Sequence, residues 1–149
     1  MRKKLLILAT AVLCSSAAFA GLKQPQPVVV DLVAQTAFGD MLTAANSDNN
    51  VEFIGCGSRR IDDGMGFTFR FGFCQASDAD GNQITCFTEN DNLLDEMRAS
   101  NDFSFVTFSW EDDGAGNLTC NRVGFSTQSF YIVEVEDPDD DDDDDDDDD

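Results

Sequence analysis

The chain holds thirty acids, nine bases and no histidine. Without imidazole there is no Ser-His-Asp relay, no histidine general base and no His-containing zinc site. Carboxylates, arginines, hydroxyls and cysteines are left to do chemistry. Beyond Cys14, the cysteines are Cys56, Cys74, Cys86 and Cys120. None of their spacings is C-x2-C, which argues against zinc and against a thioredoxin-like redox pair. An even count in a small chain favours two structural disulfides. Gly55-Cys56-Gly57-Ser58-Arg59-Arg60 has the look of a reactive thiol site, yet there is no histidine to activate Cys56. The segment is therefore read as a disulfide and a turn, with Arg59 and Arg60 binding an anion or pairing with Asp62 and Asp63.

The carboxylates cluster in loops. Asp78-Ala79-Asp80-Gly81-Asn82 places oxygens at alternate positions and resembles the start of an EF-hand calcium loop, with Glu89 at the twelfth position. Gln83 stands where that loop needs glycine, and Ile84 falls one place before the usual apolar position. A hairpin turn is the simpler reading. A low-affinity calcium site through Asp78, Asp80 and Asn82 is the sharper one. Asp112, Asp113 and Asn117 form a weaker second candidate. Carboxylate pairs would also suit a hydrolase, although no pair is singled out by spacing. Asn117-Leu118-Thr119 has the form of a glycosylation sequon.

These residues need strands to hold them. From Gly66 to Cys74 the chain reads G-F-T-F-R-F-G-F-C. Phe67, Phe69, Phe71 and Phe73 alternate with Thr68, Arg70, Gly72 and Cys74, the period of a strand with one buried face, here the phenylalanine face. The turn at Asp78–Asn82 leads to a return strand, Gln83 to Thr88. Centring the hairpin on Asp80 sets Phe73 opposite Phe87 and Cys74 opposite Cys86. This register predicts a Cys74–Cys86 disulfide and leaves Cys56 to Cys120.

Elsewhere, Val28 to Val33 reads as a strand. Ala37, Phe38, Met41, Leu42 and Ala45 fall at helical spacing, capped by Thr36. Val51 to Cys56 reads as a strand, and 57–64 as a polar connection. Asp91 to Ser100 reads as a short helix capped by Asp91. Asp102 to Trp110 is a strand with a bulge near Phe105–Val106, or one buried on both faces. Leu118 to Phe125 returns after the turn, and Ser126 to Val133 supplies a last strand. The fold class expected is α+β, a mostly antiparallel sheet of five or six strands with one or two short helices, stabilised by disulfides. An all-β sandwich is the alternative.

Residues 1–20 have a charged start, a short apolar run and Ala18-Phe19-Ala20, the pattern of a cleaved signal peptide. The run is too short to span a bilayer, and no later stretch is long enough. Cleavage leaves six bases against thirty acids, a net charge of −24. The expected organisation is a signal peptide (1–20), a single globular domain (21–133, with 21–27 a flexible linker) and a disordered acidic tail (134–149). The tail ends in eleven consecutive aspartates, Asp139 to Asp149, a low-complexity run that repels itself.

A charge this negative disfavours nucleic acid and anionic membranes and favours cations or basic proteins. The reading is an exported protein, periplasmic or secreted, acting as a non-enzymatic binding or structural module. A low-affinity calcium-binding module using the Asp78 loop or the tail is the alternative, and a carboxylate-dependent hydrolase the third.

Overall fold

A computed structural model describes residues 21–101 and 103–132. The expected signal peptide, Val133 and the acidic tail lie outside the described residues. Among the described residues seven strands form one mixed sheet: β1 (Val29–Asp31), β2 (Thr36–Asp40), β3 (Phe53–Asp62), β4 (Thr68–Ser77), β5 (Gln83–Thr88), β6 (Phe105–Asp112) and β7 (Leu118–Ser126). Their order across the sheet is β1-β2-β6-β7-β5-β4-β3. Two short helices, α1 (Met41–Ala45) and α2 (Asp91–Arg98), complete it. The sheet is thus larger than the five or six strands expected, and it is mixed: β5 and β7 run parallel, through the single pair Phe87↔Thr119.

Both helices pack on one face of the sheet. Leu94 and Met97 of α2 and Ala44 of α1 join Ile54, Cys74, Ala76, Cys86, Val106, Phe108, Trp110 and Cys120 in one buried cluster. The predicted β4–β5 register is found, with Phe73↔Phe87 and Cys74↔Cys86. Its burial is reversed. The core side of β4 carries Gly72, Cys74 and Ala76, whereas Phe69, Phe71 and Phe73 are half-buried on the opposite face and Phe67 is 64% exposed. Alternation distinguishes two faces but does not say which one receives a helix. A helix needs small residues beneath it, and Gly72 provides the closest approach. A Cβ there would collide with Met97 Sδ and stand 2.9 Å from Leu94 Cδ2. Gly72→Ala is expected to cost about 1–3 kcal/mol through overpacking, measured by urea denaturation. A cost within error of zero would mean that α2 can lift away freely.

The disulfide pairing also differs. The bonds are Cys56–Cys74 and Cys86–Cys120, not Cys74–Cys86 and Cys56–Cys120. Cys74 is flanked by a cysteine on each side, facing Cys56 on β3 and Cys86 on β5. Antiparallel pairs alternate between a narrow, non-hydrogen-bonded kind and a wider, hydrogen-bonded kind. The Cys56 and Cys74 Cα atoms are 4.0 Å apart, the narrow kind. The amide and carbonyl of Cys74 must then point towards β5, which makes Cys74↔Cys86 the wide kind. Sulfur bridges the narrow side, and Cys86 reaches Cys120 instead.

Other boundaries moved for local reasons. Ala37 and Phe38 belong to β2, where Ala37 pairs with Phe108, and α1 starts only after its cap, Asp40. The expected polar connection at 57–64 mostly continues β3 as far as Asp62 against β4. Asn90 rather than Asp91 caps α2, its side chain accepting from the Asn92 and Leu93 amides. The irregularity in the β6–β7 ladder falls between Ser109 and Trp110, where β7 carries the extra residue, Asn121. Instead of a last strand, Ser129–Tyr131 forms a short 3-10 turn. Residues 21–27 form no strand or helix, and the stretch is hydrogen-bonded to the body. The Gln24 amide donates to the Phe130 carbonyl at 2.7 Å, and the Gln26 amide to Asp40 Oδ2 at 2.8 Å.

Candidate functional site

The acidic loop is built around one carboxylate. Asp78 Oδ1 accepts from the amides of Asp80 (3.1 Å) and Asn82 (2.9 Å), and Oδ2 accepts from Asn82 Nδ2 (2.9 Å). The Asp78 amide closes the loop onto the Asn82 carbonyl, and Gly81 supplies the left-handed residue at φ 82°. Burial pushes the Asp78 carboxyl up. The Asn82 side chain and the amides of Asn82, Val30 and Asp80 pull it down further, so it sits below its ordinary value. Asp80 is exposed. The three residues are thus brought together as a turn whose anchor is occupied by N–H donors. A cation would have to displace those donors to use Asp78. Among the described residues, no group of three or more His, Cys, Asp or Glu side chains is placed to hold a metal ion.

The same construction recurs in two other hairpins. Asp113 accepts from the amides of Ala115 and Asn117 and from Asn117 Nδ2. Those bonds hold its carboxyl below the ordinary value. Asp63 accepts from the amides of Met65 and Phe67. The shared signal, Asp-Asp-Gly-x-Gly at 62–66 and again at 112–116, was available in the sequence and missed.

The sheet face without helices offers a different kind of site. Towards β2 and β6 it is covered. Tyr131 stacks on Phe105, with ring centres 5.2 Å apart, and Phe105 leans on Phe38. Towards β3, β4 and β5 no described residue covers it. Phe69 and Phe71 stack at 5.7 Å, and Phe71 also meets Phe73 at 6.5 Å and Phe87 at 6.4 Å. Phe87 is 52% exposed. These rings border a concavity of about 510 Å³ lined by Phe69, Phe71, Phe87, Thr88, Glu89 and Thr119.

Topology explains the hollow. It lies where β5 leaves the sheet for α2, beside a β7 to which it is joined by one residue pair. Parallel neighbours that separate after one pair leave a crevice beyond the carboxyl end of the strand. Glycine shapes its border. Gly57 lets the Phe73 ring lie against the β3 backbone, since a Cβ there would be 3.1 Å from Phe73 Cζ. The Arg59 guanidinium covers the same ring, 5.1 Å from its centre.

In the sequence these residues carry other signals: the phenylalanines that of a buried strand face, Glu89 that of an EF-hand-like position and Thr119 that of a sequon. Comparison of the chain with protein-family models, with curated proteins and with solved structures gives no match.

Proposed function

We propose that this chain is an exported, non-enzymatic binding module whose ligand site is the phenylalanine-lined hollow on the open sheet face. The carrying observation is the exposure of aromatic surface around that hollow. Phe87 is exposed there and Phe69 and Phe71 are half-exposed, while smaller residues fill the core behind them. Large apolar side chains left in contact with water and gathered around a concavity are the usual mark of a binding surface. The volume suits a small molecule or one side chain of a larger partner. Two disulfides support an oxidising compartment. Among the described residues no helix is long and apolar enough to cross a membrane.

The neutral dye N-phenyl-1-naphthylamine tests the site. Its fluorescence should rise on titration with the disulfide-bonded chain. Phe71→Ser and Phe87→Ser should each weaken that binding about fivefold, the loss of roughly 1 kcal/mol of aromatic contact. Both positions are on the open face, so the thermal midpoint should move little. Undiminished dye binding in folded variants would remove the hollow as the site.

A further inference from the structure

Building on that reading of the hollow, we infer that its ligand class is a small organic cation, an ammonium group carrying apolar substituents. Three observations converge. The lining presents three phenyl rings, whose faces are electronegative and attract cations within about 6 Å of the ring centre. Among the described residues, Glu89 is the single charged side chain of that lining, and no lysine or arginine contributes to it. The same aromatic row already accepts a cation, since the Arg59 guanidinium stands over Phe73.

Arg59 leaves room for a second cation. It faces Phe71 from β3, whereas Phe87, Glu89 and Thr119 lie on the β5 and β7 side. Phe71 and Phe87 pack against each other, inclined at 48° with centres 6.4 Å apart, so a compact cation would rest on the hollow side of the pair and touch both rings at their open surfaces. The net charge of −21 adds a field that concentrates cations around the molecule and repels anions. A neutral apolar ligand would gain the rings but neither charge term. An anionic one would be opposed by both.

Choline and its uncharged carbon isostere, 3,3-dimethylbutan-1-ol, separate these contributions. Each is titrated into the full disulfide-bonded chain while the phenylalanine ring resonances are followed by NMR. Choline should shift the Phe69, Phe71 and Phe87 rings and bind about fivefold more tightly than the isostere, the value of a partly exposed cation–π contact. Glu89→Gln should weaken choline about threefold and leave the isostere unchanged. Phe87→Leu, which keeps apolar bulk without a ring face, should erase most of the preference.

Equal binding of the two ligands, with the rings shifting in both, would overturn the cation assignment and leave the binding module standing. Choline acting on the aspartate tail but not on the rings would overturn it equally. If neither ligand moves the rings and the naphthylamine dye also fails to bind, the hollow is no binding site and both readings fall.

Discussion

Replacing Cys86 and Cys120 together by alanine is expected to destabilise the fold by about 3–4 kcal/mol, the loop-closure value for a link of this length. The two are 34 residues apart in sequence and almost fully buried. Their bond crosses from β5 to β7, where the backbone supplies only one parallel pair. The covalent link therefore closes the sheet at its thinnest ladder. Cys56–Cys74, with a separation of 18, closes a shorter loop of the unfolded chain and lies inside a ladder of ten paired residues. Removing it should cost somewhat less, about 3 kcal/mol. Urea midpoints of the two double variants give the comparison. A larger loss from the Cys56/Cys74 pair would show that the seam is held by packing rather than by sulfur.

Asp40→Ala is expected to cost about 3 kcal/mol, because a cap and two further bonds are lost together. Asp40 is fully buried. Its carboxylate accepts from the Thr43 amide at 2.8 Å, from the Thr43 hydroxyl, and from the Gln26 amide at 2.8 Å. The Asp40 amide in turn donates to the Gln26 carbonyl at 2.9 Å. One side chain thus starts α1, ends β2 and secures the segment that leads into β1. Alanine leaves the three part-buried donors without their acceptor, and an unmade bond of this kind costs more than a made one gains. Asp40→Asn should recover about half the loss, since its amide keeps one acceptor but turns two N–H groups towards donors. Chemical denaturation gives the size, and hydrogen exchange at Gln26 and Thr43 gives the place. Unchanged protection of the Gln26 amide in Asp40→Ala would show that the segment is held by something else.

Much of the hairpin was legible because period-two patterning and a five-residue turn leave few registers open. Phe73↔Phe87 and Cys74↔Cys86 followed from counting alone. What counting cannot supply is the third dimension. The phenylalanine row is the more apolar face of β4, yet α2 settled on the other, because only Gly72, Cys74 and Ala76 let Leu94 and Met97 come close. The hydrogen-bonding phase of Cys74 decided its partner, and a sequence does not print that phase. Ala37 and Phe38 fit a helical spacing as well as a strand, and pairing with β6 resolved the ambiguity. Arg59 and Arg60 looked like a turn because charge is common in turns. On an edge strand, charged side chains instead guard unpaired backbone against another chain. The hollow escaped notice because it is made by β5 and β7 diverging, and β7 lies thirty residues further along the chain.

The strand order has a consequence for how the molecule comes into being. The second half of the sheet, β5, β7 and β6, is enclosed between β4 and β3 on one flank and β2 and β1 on the other. Ribosomes deliver the outer strands first and the central ones last. Until β6 has emerged, β2 has no long neighbour, and β3, β4 and β5 form a separate meander in which Cys86 still lacks its partner Cys120. Distant pairings such as Thr36↔Ser109 require large loops to close before they yield any contact, so folding is slow for the chain's size. A nascent chain stalled before β6 would carry unpaired strand edges and free thiols together, the state in which aggregation and wrong disulfides arise.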